Sequence, residues 1–287
     1  MELKKMIEKV KPDINQIPVF TGLVGGQPKS GKTTGASTFP NALILDLDLG
    51  AELVSCERIA IDFINPPVKV ETNDKDVKIK KKIPPTERGY VYKAGDKKGE
   101  PMPVYSLSEV YVSIQHAIKQ GKFSYQTVVI DTLDALNALV EHKIMKEMRI
   151  NSMGEAGFGQ DYGAAKKKNL EILDNFIFMC HNHGISVLLI CHTAQKTQLG
   201  DGTTQQKLEL PRGFANAIEA DVEFIGHVTR SIEGYPQIEF KSYSEVQAGS
   251  RIDALDGKTI KWDYETFKTT IEEYDPRKEK VSETVPN

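Results

Sequence analysis

The chain has 287 residues, 39% of them hydrophobic, and a formal net charge of −3, a length that suits one α/β domain with insertions and a sizeable core. So slight an acidic balance gives no whole-protein field that would attract nucleic acid, and any such contact must come from a local basic patch. Cys56, Cys180 and Cys191 are too few and too scattered for a disulfide framework. Without a signal-peptide core or a run of about 18 apolar residues, the expectation is a cytoplasmic protein with no membrane partner.

Leu3, Met6, Ile7 and Val10 fall at helical spacing before Pro12 and mark residues 1–16 as an N-terminal arm that packs on its own core or on a neighbour. Residues 18–24 then read as an apolar strand running into Gly26-Gln27-Pro28-Lys29-Ser30-Gly31-Lys32-Thr33-Thr34. This stretch satisfies G-x-x-x-x-G-K-[ST] at every constrained position, the pattern of a loop that cradles phosphates. The glycines let successive N–H groups turn inward, Lys32 sets a point charge at the β/γ-phosphates, and Thr33 offers a hydroxyl to Mg²⁺. ATP with Mg²⁺ is the expected ligand. A helix beginning near Thr33 would point the positive end of its dipole at the phosphates.

Residues 42–45 read as a second buried strand, ending in Asp46-Leu47-Asp48. In open α/β sheets, ligands bind beyond the carboxyl ends of the strands. One of the two carboxylates is therefore expected to face the phosphates, where it would position and deprotonate a water. Asp48 is the choice and Glu52 the reserve, with an acidic helix cap as the alternative role. From 65 to 104 the composition changes: six of the 14 prolines fall there, with ten Lys/Arg against six Asp/Glu. This is a basic insertion, with residues 78–82 and 90–93 as two strands of a hairpin. Its lysines with Tyr90, Tyr92 and Tyr105 suit a phosphate backbone and stacked bases; the alternative is a solvated face.

Residues 107–120 have helical periodicity and stop at Gly121. The β-branched run 127–130 then delivers Asp131, a carboxylate suited to the Mg²⁺ shell. A helix over 133–150, a glycine-rich loop over 151–160 and a second long helix from Asp161 follow. Cys180-His181-Asn182-His183 and Cys191-His192 match no zinc-finger spacing. Residues 185–192 read instead as a buried strand with His192 at its edge, where a γ-phosphate would be sensed. Thr193–Gly213 is a long polar loop, 214–220 a short helix, and 222–228 with 237–243 an antiparallel pair around Gly234. The polar tail 272–287 is expected to be disordered.

The motifs at 27–34 and 129–132 (Val-Ile-Asp-Thr) make the chain resemble the RecA-like P-loop ATPase core over about residues 17–262. More closely it resembles the phage nucleotide-binding proteins of that type, which are associated with single-strand annealing and recombination. The resemblance implies an α/β domain over 17–271: a mainly parallel sheet flanked by helices, closed by a β-hairpin, with the His192 strand between the P-loop strand and the Asp131 strand. It implies an ATPase acting on single-stranded DNA, with Lys32, Asp48, Asp131 and His192 catalytic and Thr33 and Asp131 holding Mg²⁺. Asp48 falls where the family places a catalytic Glu, and the 193–213 loop where it contacts DNA. Self-association into a ring or filament is also implied, with a basic residue from the next subunit completing the site; Lys241, Arg230 and Arg251 are the candidates. A single-strand-binding or annealing protein is a further partner class. Two departures, Asp for Glu at 48 and the large insertion, would slow hydrolysis or make it await a partner. The competing readings are a nucleotide-gated scaffold with little turnover and a P-loop small-molecule kinase.

Overall fold

The apolar runs that the sequence marks as strands are buried on both sides, as a parallel sheet covered by helices requires. The computed structural model describes residues 16–72, 78–194, 197–198, 204–205, 207–241 and 248–275. Of the arm over 1–16 only Gln16 is described; of the tail over 272–287, expected to be disordered, Glu272 closes the last helix and Tyr274 packs against the core, while residues from 276 lie outside the described residues.

In chain order the first part comprises β1 (Thr21–Gly26), α1 (Lys32–Ala36), β2 (Ala42–Asp46), β3 (Glu57–Phe63), β4 (Val68–Thr72), β5 (Lys78–Lys82) and β6 (Tyr105–Ser106). The middle comprises α2 (Leu107–Lys119), β7 (Thr127–Asp131), α3 (Leu133–Met148), α4 (Gln160–His181), β8 (Ser186–His192), β9 (Thr197–Gln198) and β10 (Thr204–Gln205). The last part is α5 (Arg212–Asp221), β11 (Phe224–Arg230), β12 (Pro236–Glu239), β13 (Gly249–Ser250), β14 (Thr259–Lys261) and α6 (Tyr264–Glu272). The main sheet runs β14-β12-β11-β1-β8-β7-β2-β3-β6, with β13 on β11. All neighbours from β11 to β6 are parallel, while β12, β13 and β14 pair antiparallel. The His192 strand thus lies between the P-loop strand and the Asp131 strand, the order that the RecA-like resemblance implies.

Side chains alternate between the two faces. Leu23, Leu43, Leu45, Val128, Ile130, Val187 and Leu189 join one core beneath α2 to α5. Val24, Ile44, Val129, Leu188 and Ile190 join the other, where Phe20, Phe39, Phe224, Phe240, Trp262 and Phe267 meet under α1 and α6. The rings in this second core stand 5.2 to 6.2 Å apart between centroids, in tilted or edge-on contact.

Two regions depart from the sequence-based expectation. β5 pairs with β4, not with residues 90–93. Period-2 alternation identifies a strand but not its partner, and Pro84 and Pro85 end β5 in a short 3-10 turn before Tyr90 is reached. Residues 90–102 fold on themselves instead, through Tyr92 N–H to Glu100 O and Met102 N–H to Tyr90 O. Strand β3 was not legible because Glu57, Arg58 and Asp62 interrupt its apolar run; Arg58 is compensated by an ion pair with Asp46.

The insertion is riveted to the body at α2. Ser106 caps that helix in a reciprocal box with Glu109, and Arg88, its side chain almost wholly buried, reaches Glu109 with two 2.9 Å bonds. Hydrogen bonding from Arg88 pulls the Glu109 carboxyl down to about 2.

Candidate active site

Strand register sets the site. Gly26 of β1 is opposite His192 of β8, and Asp131 of β7 lies between Ile190 of β8 and Asp46 of β2. Four strands therefore end along one sheet edge, and each brings a residue singled out by the sequence or its neighbour in the chain.

Between β1 and α1 the chain turns through Gly31 at φ 101°, a left-handed conformation that favours glycine. A Cβ there would also stand 2.7 Å from Pro236. The Lys32 ammonium donates to Gly26 O and Gln27 O, each at 2.9 Å. Burial lowers its pKa, and the carboxylates of Asp131, Asp134 and Asp48 oppose that shift. Ser30 Oγ is buried in the loop with no hydrogen-bond partner among the described residues. An orphaned hydroxyl, a caged cation and the leading N–H groups of a helix, which have no carbonyls behind them, fit a phosphate.

Thr33 Oγ1 donates to Asp131 Oδ2 at 2.7 Å. Burial pushes the Asp131 carboxyl up to about 7, the charges of Asp48 and Asp46 add to this, and the Thr33 hydroxyl opposes it. Two hard oxygens at the mouth of a phosphate loop are the donor set Mg²⁺ takes beside phosphates, and a cation there would hold Asp131 ionised. The residues present fit Mg²⁺-ATP.

The acidic pair after β2 is separated by the end of the strand. Asp46, fully buried, pairs with Arg58 and accepts the Gly50 N–H at 3.0 Å; it shapes the loop. Asp48 is exposed, accepts only the Gly50 N–H at 2.8 Å among the described contacts, and its charge bears on Lys32, Asp131 and His192. Glu52 is committed elsewhere: its Oε1 accepts the N–H groups of Lys93 and Ala94 at 2.7 and 2.8 Å. Leu49, at φ 57°, packs into the insertion's small core with Met102 and Val104. The loop carrying Asp48 is thus clasped to the insertion on both sides.

His192 is half-buried, and its Nδ1 lies 2.8 Å from Asp134 Oδ2 while its backbone N–H donates to Asp134 Oδ1 at 3.0 Å. The Asp134 hydrogen bond raises the His192 pKa above its usual value. Gln27 donates from Nε2 to Thr193 O at 3.0 Å and Ala194 O at 3.1 Å, joining the P-loop to the segment after β8. That segment contains the β9–β10 ladder rather than an open loop; residues 195–196, 199–203 and 206 lie outside the described residues.

Of the candidate basic residues, Arg230 is engaged in its own chain, donating to Lys29 O at 3.1 Å and Gly234 O at 2.7 Å. Arg251 donates to Ala220 O, next to the start of β11 and so at the sheet edge away from the P-loop. Lys241 stands two residues past β12. The insertion tyrosines serve its fold: Tyr90 donates to Asp62 and packs on Phe63, and Tyr92 sits under Lys97. The structure adds Asp134 and Trp262 to the site. The Trp262 indole donates to Lys32 O at 3.0 Å, and its ring lies where a Cβ on Gly35 would come within 1.9 Å. An Asp in the first helical turn after the Asp131 strand was the one available signal for Asp134; Trp262 had none beyond being the sole Trp.

The profile of a family described as AAA domain matches residues 20–252. No curated protein matches the chain. Among solved structures, a KaiC-like protein from the hyperthermophilic archaeon Pyrococcus horikoshii OT3 shares 11% identity, with 85% of each chain covered and a TM-score of 0.36. The RadB recombinase shares 13% identity, with 85% of this chain and 87% of that chain covered and a TM-score of 0.35.

Proposed function

The chain belongs to the AAA-domain family, and from that premise we propose that it is an ATPase acting on single-stranded DNA in phage-type recombination, annealing or replication. The observation that carries the ATPase reading is the 2.7 Å contact between Thr33 and Asp131 beside the caged ammonium of Lys32. Magnesium, when bound, neutralises charge developing on the phosphate oxygens. Thr33 and Asp131 would hold it, and Lys32 supplies a second, fixed cation. Asp48, exposed at the next strand end, orients the attacking water and takes its proton. His192, held through Nδ1 by Asp134, keeps Nε2 for the phosphate side.

The DNA half of the reading is supported by the resemblance of the two motifs to recombination ATPases and by the basic insertion. The bond from Gln27 to Thr193 and Ala194 gives the β9–β10 segment a direct link to the P-loop. In an assembly, Arg251 and Lys241 remain the residues for a neighbour's site, since Arg230 already serves its own P-loop. A cation supplied in trans is worth about 10³ to 10⁵ in rate in related phosphoryl transfers.

The test is ATP hydrolysis by the wild type and Lys32→Ala, with and without single-stranded DNA, with particle size followed by light scattering. Lys32-dependent turnover stimulated by DNA, with particles that grow on nucleotide, is the expected result. Nucleotide binding with no turnover under either condition would instead favour a scaffold, and turnover indifferent to DNA would remove the DNA half.

A further inference from the structure

The hairpin β4–β5 has two chemically different faces. In its register Val68 is opposite Lys82, Val70 opposite Lys80, and Lys69 opposite Lys81, and directly opposed residues share a face. On one face Glu71 bridges Lys69 at 2.9 Å and Lys81 at 2.7 Å, so that charge is largely internal. The other presents Lys78, Lys80 and Lys82, all exposed, beside Val68 and Val70 at 50% and 59% exposure. Among the described residues no carboxylate answers these three lysines.

Resting on the reading that the protein acts on single-stranded DNA, we infer that the Lys78/Lys80/Lys82 face is where the hairpin tracks the phosphate backbone of that strand. Alternate residues on a strand stand about 6.6 Å apart, close to the spacing of successive phosphates in an extended single strand, so each ammonium meets its own phosphate. The two valines between them offer apolar surface to sugar and base edges. Because the chain as a whole carries −3, the attraction is local to this face. The tyrosines of the insertion take no part, being used in its folding.

The test is the salt dependence of binding of a labelled oligothymidylate, by fluorescence anisotropy, for the wild type, the triple Lys78→Gln/Lys80→Gln/Lys82→Gln variant, and Lys69→Gln/Lys81→Gln. Each phosphate contact on a single strand contributes about 0.7 to the slope of log affinity against log salt, so the triple variant should flatten it by about 2. The Lys69/Lys81 variant should leave the slope near that of the wild type, and the DNA-free ATPase of both should be unchanged. An unaltered slope in the triple variant, with wild-type binding intact, overturns this assignment alone and moves the contact to the 193–213 segment. Equal flattening by both variants overturns it in favour of an undirected basic field. No oligonucleotide binding by the wild type overturns both this inference and the DNA reading. Capture by phosphatidylserine vesicles through these lysines, without oligonucleotide binding, would make the face a membrane contact.

Discussion

The two sides of the site are built differently. The phosphate loop is wedged by the closing strands: Pro236 of β12 against Gly31, the Trp262 ring against Gly35 with its indole on Lys32 O, and Arg230 on Lys29 O. These are close contacts onto backbone, with Gly31 and Gly35 leaving no room for a side chain. The acid side is held at arm's length. Asp48 sits on a loop anchored by Asp46 and Arg58 below, and clasped by the insertion through Leu49 and Glu52. On the proposed reading, binding and hydrolysis rest on separate supports, and mutations should separate them. Trp262, the sole tryptophan, donates to Lys32 O within the first support, so its fluorescence should read nucleotide binding apart from turnover.

The largest effect is expected on the phosphate side. Lys32→Ala removes the cation from the loop, where Gly26 O and Gln27 O keep only their backbone donors, Thr193 N–H and Ser30 N–H, and should lower kcat/KM by more than about 10³. The nucleotide-dependent change in Trp262 fluorescence should disappear with it. A variant that still binds nucleotide normally by this signal would show that the loop does not need its cation.

Next comes Asp48→Asn, expected to lower kcat by about 10² to 10³, the usual worth of a general base, with nucleotide affinity by Trp262 fluorescence unchanged. A loss of affinity of similar size would mean that Asp48 belongs to the binding support, and the division between the two sides would fail.

What could be read in the sequence follows the same line. The P-loop and the Asp131 strand were legible because phosphate and metal chemistry dictate residue types over a short contiguous stretch. The strand order was legible through the resemblance those stretches carry. Asp134, Trp262 and the clasp by Glu52 were not, because each acts on a residue distant in sequence, and no local pattern announces such a contact. Glu52 was a reserve base on the strength of its position in the chain; its bonds to Lys93 and Ala94 show it occupied. The hairpin departs from the expectation for a related reason: the alternation of 78–82 fixes which side chains share a face but not which strand lies alongside, here β4.

Glu109→Gln tests how firmly the insertion is fastened. It leaves Arg88 buried without its charged partner, at a cost of about 2 to 3 kcal/mol at neutral pH, less than a fully buried pair because Glu109 is a quarter exposed. The folded carboxyl titrates at about 2, below its ordinary value of 4.5. The contribution is therefore fully present above about pH 4.5 and is lost as pH falls toward 2. Urea unfolding of wild type and variant should differ at pH 7 and converge in acid. A difference that persists to the lowest pH at which the protein folds would assign the loss to packing rather than to the ion pair.

Glu52 carries the smallest and most discriminating prediction. As a clasp it needs an acceptor oxygen for two N–H groups, not a charge. Glu52→Gln keeps that oxygen and loses only the charge assistance, worth under about 1 kcal/mol, so kcat should fall no more than about fivefold. Glu52→Ala removes the acceptor, lets the loop shift and should cost kcat about tenfold, with KM and the Trp262 signal unmoved because the phosphate side has its own support. Were Glu52 the base that activates water, both variants would collapse alike, by 10² or more, since neither can take a proton. Graded loss from Gln to Ala therefore assigns Glu52 to positioning and leaves Asp48 with the water; equal collapse would exchange the two roles and dissolve the link between insertion and hydrolysis.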